Sequence, residues 1–213
     1  MSQSSYEALF ICFEGIAGAG KSTQTLALKR KIETETGRSV FISKAYERER
    51  KQAADLLIRT VNLEARSLAM MFLFQALYAK QFEETQLALQ QGSIVIADRW
   101  RESFWAYHTS FGSLAKEPRE VLEVLDRLAY GDLKPHMTFL LDVPVGVAIQ
   151  RFLTRDPESI LYDRADMKNF WGVFRSFYQE TAHKSGWRVI DATQPLDRVS
   201  DAIWQEVRSL LQC

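Results

Sequence analysis

Apolar runs are short throughout this chain. None approaches the roughly 18 apolar residues that a membrane-spanning helix requires, which excludes helical membrane proteins. Cysteine is scarce: there are two. Cys12 lies in a short apolar run and reads as core, and Cys213 is the last residue, so no disulfide framework is written and a reducing, cytoplasmic setting is expected. No sign of charge dominates. Lys and Arg number 27, Asp and Glu also 27, and the formal net charge is zero. A balanced chain has no large basic excess to displace counterions, which argues against binding nucleic-acid polymers and leaves room only for a local basic pocket. The three histidines, His108, His136 and His183, show no metal-ligand spacing and read as surface or cap residues. Met1 to Ser5 has neither the basic segment nor the apolar run of a signal peptide. Repeats, linkers and low-complexity tracts are missing as well, so the 213 residues are expected to form one domain, residues 1–213.

What is present is a glycine pattern with a chemical meaning. Gly15-Ile16-Ala17-Gly18-Ala19-Gly20-Lys21-Ser22 follows the spacing G-x-x-x-x-G-K-[ST] and continues into Thr23. The glycines let the backbone curl so that several N–H groups point at one anion. Lys21 supplies a point charge for β- and γ-phosphates, and the Ser22 hydroxyl is a Mg²⁺ ligand. The apolar run Ala8 to Phe13 before it reads as a buried strand. The segment Ser22 to Glu35 after it reads as a helix, whose positive dipole end would face the same phosphates. Strand, loop and helix come in the order that phosphate binding needs.

Strand-like and helical segments alternate along the rest. Ser39 to Ser43, Ser93 to Ala97, Met137 to Leu141 and Trp187 to Ile190 read as strands. Helices are expected over Arg50 to Thr60, Arg66 to Gln91, Glu117 to Tyr130 with Pro118 in its first turn, Val145 to Thr154, Met167 to Ser185 and Leu196 to Leu211. This alternation predicts an α/β fold, a five-stranded parallel sheet with helices on both faces. Ligands in such sheets bind at the carboxyl ends of the strands. There the third strand ends in Asp98-Arg99. An acid at that place can hold the Mg²⁺ shell or orient an attacking oxygen, and Arg99 can clamp a second phosphate. Ser103 and Tyr107 are four apart and share one helix face towards the same site. Asp142, after the fourth strand, either faces the nucleotide or caps a helix. The run Asp191-Ala192-Thr193-Gln194-Pro195 either offers backbone to an adenine ring or is a turn that starts the next helix. Arg151 to Arg164 is rich in charge and joins two helices; taken alone it reads as a solvated charged loop, and beside the phosphate loop as a lid over about 151–165 in which Arg151 and Arg155 reach transferring phosphate. Phe72, Phe74 and Tyr78 form an aromatic stripe that is core, with one ring able to stack on a base.

These residues together resemble the thymidylate kinase family, nearly end to end. The resemblance rests on Phe13-Glu14-Gly15 through Gln24, on Asp98-Arg99-Trp100 with Ser103 and Ala106-Tyr107, on Asp132-Leu133-Lys134-Pro135 leading to Leu140-Leu141-Asp142-Val143, on Asp163-Arg164, and on Asp191 to Leu196. It implies a P-loop nucleotide kinase fold with a short lid, transfer of the γ-phosphate of ATP to a nucleoside monophosphate (thymidylate first), Mg²⁺, and a homodimer. By the same resemblance Lys21 and the loop hold ATP, Ser22 and Asp98 serve the metal, Ala192 and Gln194 border the adenine, and Arg99 grips the acceptor phosphate with Lys44. Phe74 resembles the ring that stacks on thymine. The chain departs from the family pattern on the acceptor side. Ala17 stands where the loop carries an acid, and Gly18 where some members carry an arginine. Lys44-Ala45-Tyr46-Glu47 replaces an Arg-Glu-Pro segment. Tyr78 replaces an arginine that reads the pyrimidine, Trp100 a tyrosine and His108 a glutamine. A different nucleotide or nucleoside acceptor, or a nucleotide-binding partner protein without transfer, remains open at this level.

Overall fold

The computed structural model describes residues 8–64, 67–111, 114–155, 157 and 166–211. Met1 to Ser5, Arg66, Cys213 and the lid residues Asp156, Glu158, Asp163 and Arg164 lie outside the described residues.

Short β-branched and aromatic runs make the strands β1 (Phe10–Glu14), β2 (Val40–Ser43), β3 (Ile94–Asp98), β4 (Met137–Asp142) and β5 (Arg188–Asp191). Every pairing is parallel, and the order is β2-β3-β1-β4-β5. The expected five-stranded parallel sheet is therefore present. Its three inner strands are apolar because both faces are covered. The helices are α1 (Lys21–Thr36), α2 (Arg48–Thr60), α3 (Leu68–Gln90), α4 (Arg101–His108), α5 (Arg119–Tyr130), α6 (Val145–Arg155), α7 (Met167–Ser185) and α8 (Leu196–Leu211). None among the described residues is long and apolar enough to cross a membrane.

Strand alternation sorts the core into two layers. Ile11 and Phe13 of β1 and Ile94 and Ile96 of β3 pack with Leu28 and Ile32 of α1 and with Val199, Ile203 and Val207 of α8. Phe10, Cys12, Val95 and Ala97 face the other way, onto Met71 and Ala88 of α3 and Leu122 and Ala129 of α5. Cys12 is buried, as expected.

Two details differ from the sequence reading. Pro118 is the N-cap residue of α5 rather than a member of its first turn; its missing N–H is harmless at either place. His108 is buried against the Phe104 ring, with centroids 4.6 Å apart, and is not a surface or cap residue. Burial lowers its pKa to about 4. His136 is exposed, as expected of a surface residue, and its Nδ1 accepts the backbone N–H of Phe10, the first residue of β1, at 2.8 Å.

Candidate active site

The order β3-β1-β4 puts the loop after β1 between two neighbouring strand ends, where a parallel sheet opens a crevice. Gly15 leaves β1 with φ 137°, and Gly18 follows with φ 82°. Both conformations are open to glycine at low cost. Space demands glycine as well. A Cβ at Gly15 would lie 2.6 Å from the Leu141 carbonyl oxygen, and one at Gly18 only 2.2 Å from that of Ala148. The loop is thus wedged between β4 and α6. The position where some family members carry an arginine has no room for a side chain in this backbone. Lys21 opens α1 and folds back, its Nζ donating to the carbonyls of Gly15 and Ile16 at 2.9 Å each. Burial, then the nearby Arg99 charge, push its pKa well below the ordinary lysine value.

One residue later, Ser22 Oγ donates to Asp98 Oδ2 at 2.5 Å. Lys44, just past β2, reaches the same pair. Its Nζ lies 2.8 Å from Asp98 Oδ2 and 2.9 Å from Ser22 Oγ. Burial alone would raise the Asp98 pKa, but Lys44, Lys21 and the Ser22 hydroxyl outweigh it and hold the carboxyl at about 2. A hydroxyl and an ionised carboxylate are hard oxygen donors that suit Mg²⁺. Among the described residues no group of three or more His, Cys, Asp or Glu could hold a metal. Two protein oxygens, from Ser22 and Asp98, fit an ion that keeps waters and takes nucleotide phosphates, which is how Mg²⁺ is usually bound.

Arg99 is held by its backbone and by its side chain. Its φ is 77°, left-handed for a residue with a Cβ, which costs free energy unless the surroundings enforce it. They do so here. The Arg99 N–H donates to the Phe13 carbonyl, and Gln81 Nε2 of α3 donates to the Arg99 carbonyl at 2.9 Å. Its Nη1 donates to Ser103 Oγ at 3.1 Å and Tyr178 Oη at 2.9 Å. Behind them sits Glu14, fully buried at the end of β1. Its Oε1 accepts the Trp100 N–H at 2.7 Å and its Oε2 the Ser103 hydroxyl at 3.0 Å. Burial raises the Glu14 pKa against the pull of Arg99, 3.8 Å away. Glu14, Gln81 and Tyr178 were assigned no role from the sequence. Glu14 did carry a signal, a lone acid closing an apolar run. Gln81 is a buried amide on a largely apolar helix. Tyr178 carried none, because its partners are 75 and 79 residues away.

The aromatic stripe continues a ladder of rings. Tyr46 and Phe74 are 5.7 Å apart, Phe74 and Tyr78 6.3 Å, Tyr78 and Tyr130 5.6 Å, and Tyr130 and Trp100 4.9 Å. Phe74 stands at its outer, half-buried part and Trp100 in the core. Phe72 is outside the ladder and exposed. Tyr107 shares the helix α4 with Ser103, as expected, but packs edge-on against Phe170 and Phe174 of α7.

On the far side, Ala192 is buried, and its N–H donates to the Asp142 carbonyl. Gln194 is exposed and donates to Asp191 Oδ2 at 2.8 Å. Arg151 and Arg155 both lie on helix α6 itself. Arg151 Nη1 donates to the Ala192 carbonyl at 3.0 Å, and Arg155 lies over the Phe152 ring. Asp142 is engaged by α7, with Arg175 donating to both of its oxygens at 2.8 Å and Gln179 donating at 3.0 Å. Neither reading offered for Asp142 included this pair. Arg151 therefore ties α6 to the turn after β5, and Arg175 ties α7 to the end of β4.

Residues 13–203 match the family model described as thymidylate kinase. The chain is 35% identical over 211 residues to the thymidylate kinase of Bradyrhizobium sp. (strain ORS 278), covering 95% of this chain and 90% of that one. It is 33% identical over 214 residues to the thymidylate kinase of Thermomicrobium roseum, covering 95% and 96%. With the thymidylate kinase of Desulforudis audaxviator the identity is 32% over 212 residues, covering 96% and 92%.

Proposed function

The chain belongs to the thymidylate kinase family, and from that premise we propose that it transfers the γ-phosphate of ATP to thymidine monophosphate, giving the diphosphate and ADP. The observation that carries the reading is the meeting, at adjoining strand ends, of the wedged glycine loop, the Ser22–Asp98–Lys44 cluster and the braced Arg99.

ATP lies with its phosphates in the loop from Gly15 to Thr23 and its adenine along Ala192 and Gln194. Lys21 turns from the Gly15 and Ile16 carbonyls to the phosphates, whose negative charge restores its affinity for a proton. Ser22 and Asp98 would hold Mg²⁺, which neutralises charge on the phosphates. Arg99 and Lys44 align the acceptor phosphate. One of its oxygens forms a bond to the γ-phosphorus as the bond from that phosphorus to the bridging oxygen of ADP breaks, in line. Glu14, Ser103, Tyr178 and Gln81 are positioning residues that keep Arg99 aimed. Phe74 stacks on the base, and Tyr78 and Tyr107 complete the acceptor wall. Arg151 or Arg155, both on α6, supplies positive charge to the transferring phosphate. Catalysis of this kind is mostly positioning and charge stabilisation.

Leu68 and Phe72 of α3, Leu56 of α2 and Leu128 of α5 are exposed on helices that pack side by side. A second copy of the chain covering them gives the homodimer.

An ADP-release assay over a panel of nucleoside monophosphates and nucleosides tests the reading. Thymidine monophosphate is expected to be the best acceptor. ATP binding without acceptor-dependent ADP release would instead identify a nucleotide-binding partner protein, and another acceptor ranking far ahead would move the substrate assignment.

A further inference from the structure

We propose that the Lys44 ammonium and the divalent cation compete for the same two oxygens, Ser22 Oγ and Asp98 Oδ2, and that the acceptor's phosphate, by taking Lys44, raises the affinity of that site for the cation. The inference deepens the kinase reading and rests on it.

A serine hydroxyl has one proton and two acceptor positions. Ser22 gives its proton to Asp98 Oδ2 and accepts from Lys44 Nζ at 2.9 Å. Asp98 Oδ2 also accepts from Lys44, at 2.8 Å. Three atoms form a closed triangle around which one positive charge already sits. A metal ion needs a lone pair of the same hydroxyl and a share of the same carboxylate oxygen. It would also meet the ammonium as a like charge. Both cations cannot hold the pair at full strength.

Lys44 is built to leave. Its backbone is fixed: the Lys44 carbonyl accepts from Arg50 Nη1 at 3.1 Å, and the preceding Ser43 is buried with its hydroxyl on Thr85 at 2.6 Å. Only the flexible four-carbon stem has to move, and the side chain is 31% exposed. Asp98 is buried but solvent reaches the Lys44 side of the pair and screens it, so its competition amounts to a factor of about five. A phosphate dianion offers the ammonium a stronger partner. Linkage is reciprocal: if the acceptor strengthens the cation's binding, the cation strengthens the acceptor's by the same factor. The chemical consequence is order. The charge-neutralising ion is held best when the acceptor is in place, which disfavours transfer of the γ-phosphate to water.

The test is Mn²⁺ titration by electron paramagnetic resonance, using the full chain with a non-hydrolysable ATP analogue, with and without thymidine monophosphate. In the wild type the monophosphate is expected to tighten Mn²⁺ binding about fivefold. Lys44→Met is expected to bind Mn²⁺ about fivefold more tightly than the wild type without acceptor, with no further gain when acceptor is added. Lys44→Arg keeps a cation and is expected to restore the acceptor dependence. Equal Mn²⁺ affinity in wild type and Lys44→Met, or an acceptor effect that persists in Lys44→Met, overturns the proposal while leaving the kinase reading standing. If no analogue-dependent Mn²⁺ binding occurs in any of the three, the proposal and the kinase reading of this site fail together.

Discussion

Lys21 donates to two carbonyls of its own loop, and a triphosphate bound as proposed would have to displace them. The ammonium then gains an anionic partner in a buried site, where charge-assisted bonds are strong. Lys21→Ala is expected to lower turnover by at least two to three orders of magnitude at saturating nucleotide, as loss of a preorganised charge does. Near-normal kcat would remove its assigned role. Glu102 gives a prediction about pH. Burial, then the Glu14 charge, raise its pKa from 4.5 to about 8. The unfolded chain loses this proton near 4.5, and the folded one holds it until about 8. Stability contributed by the protonated form is complete below 4.5 and falls as pH rises towards 8. Glu102→Gln is expected to flatten that fall, raising stability at pH 8 by on the order of a few kcal/mol and leaving pH 4 nearly unchanged. Urea midpoints at the two pH values measure it. At this scale the sequence was legible where partners are close in the chain. Gly15, Lys21 and Ser22 fall within one loop and the first turn of one helix, so spacing alone fixes their geometry. Glu14 with Ser103, and Arg99 with Tyr178, meet only after the chain has crossed the sheet.

Most element boundaries followed from apolar period and glycine stops, because a helix or strand end is decided within a few residues. What one element does to another was not legible. Gly18 read as one of the glycines that let the backbone curl around a phosphate. In the structure its absent side chain is a contact condition, with the Ala148 carbonyl of α6 where a Cβ would stand. Gly18→Ala is therefore expected to cost about 2–4 kcal/mol, from the clash and the left-handed φ together. ATP affinity should fall with it, since the loop cannot keep its shape while α6 stays put. A melting temperature and ATP affinity equal to wild type would show that the loop or α6 yields without cost. Arg151 and Arg155 make the same point. Their composition suggested lid residues, and their helix places them on α6, with Arg151 fastened to the turn after β5. Asp142 likewise became the anchor of α7.

The sheet order β2-β3-β1-β4-β5 brings the ends of β1, β2 and β3 together, and with them Lys21, Lys44 and Asp98. Alternating strands and helices implied a parallel sheet, yet several strand orders satisfy that pattern. Only the fold shows which strand ends are neighbours. The surface of α2, α3 and α5 raises a question at the same scale. Leu128 is 73% exposed and Phe72 56%, and these two large apolar side chains test whether a second copy covers the helices as proposed. Leu128→Glu with Phe72→Glu is expected to convert a dimer to a monomer in light scattering after gel filtration. The melting temperature of the monomer should stay close to that of the wild type measured at dilution, since neither side chain is in the core. A monomeric wild type, or a double variant that remains dimeric, would remove this surface as the interface.

The sequence by itself determined the phosphate loop, the class of fold and the acid–arginine pair at the end of β3, because each is written in residues that are near neighbours along the chain. The tertiary structure decided which side chains surround that pair. It buried Glu14 behind Arg99, set Gln81 on a strained carbonyl, stacked Tyr78 on Tyr130 and brought Lys44 to Ser22 and Asp98. The physical reason is that these contacts join elements 18 or more residues apart, and their energies depend on burial and on distances of a few ångströms that no local pattern encodes.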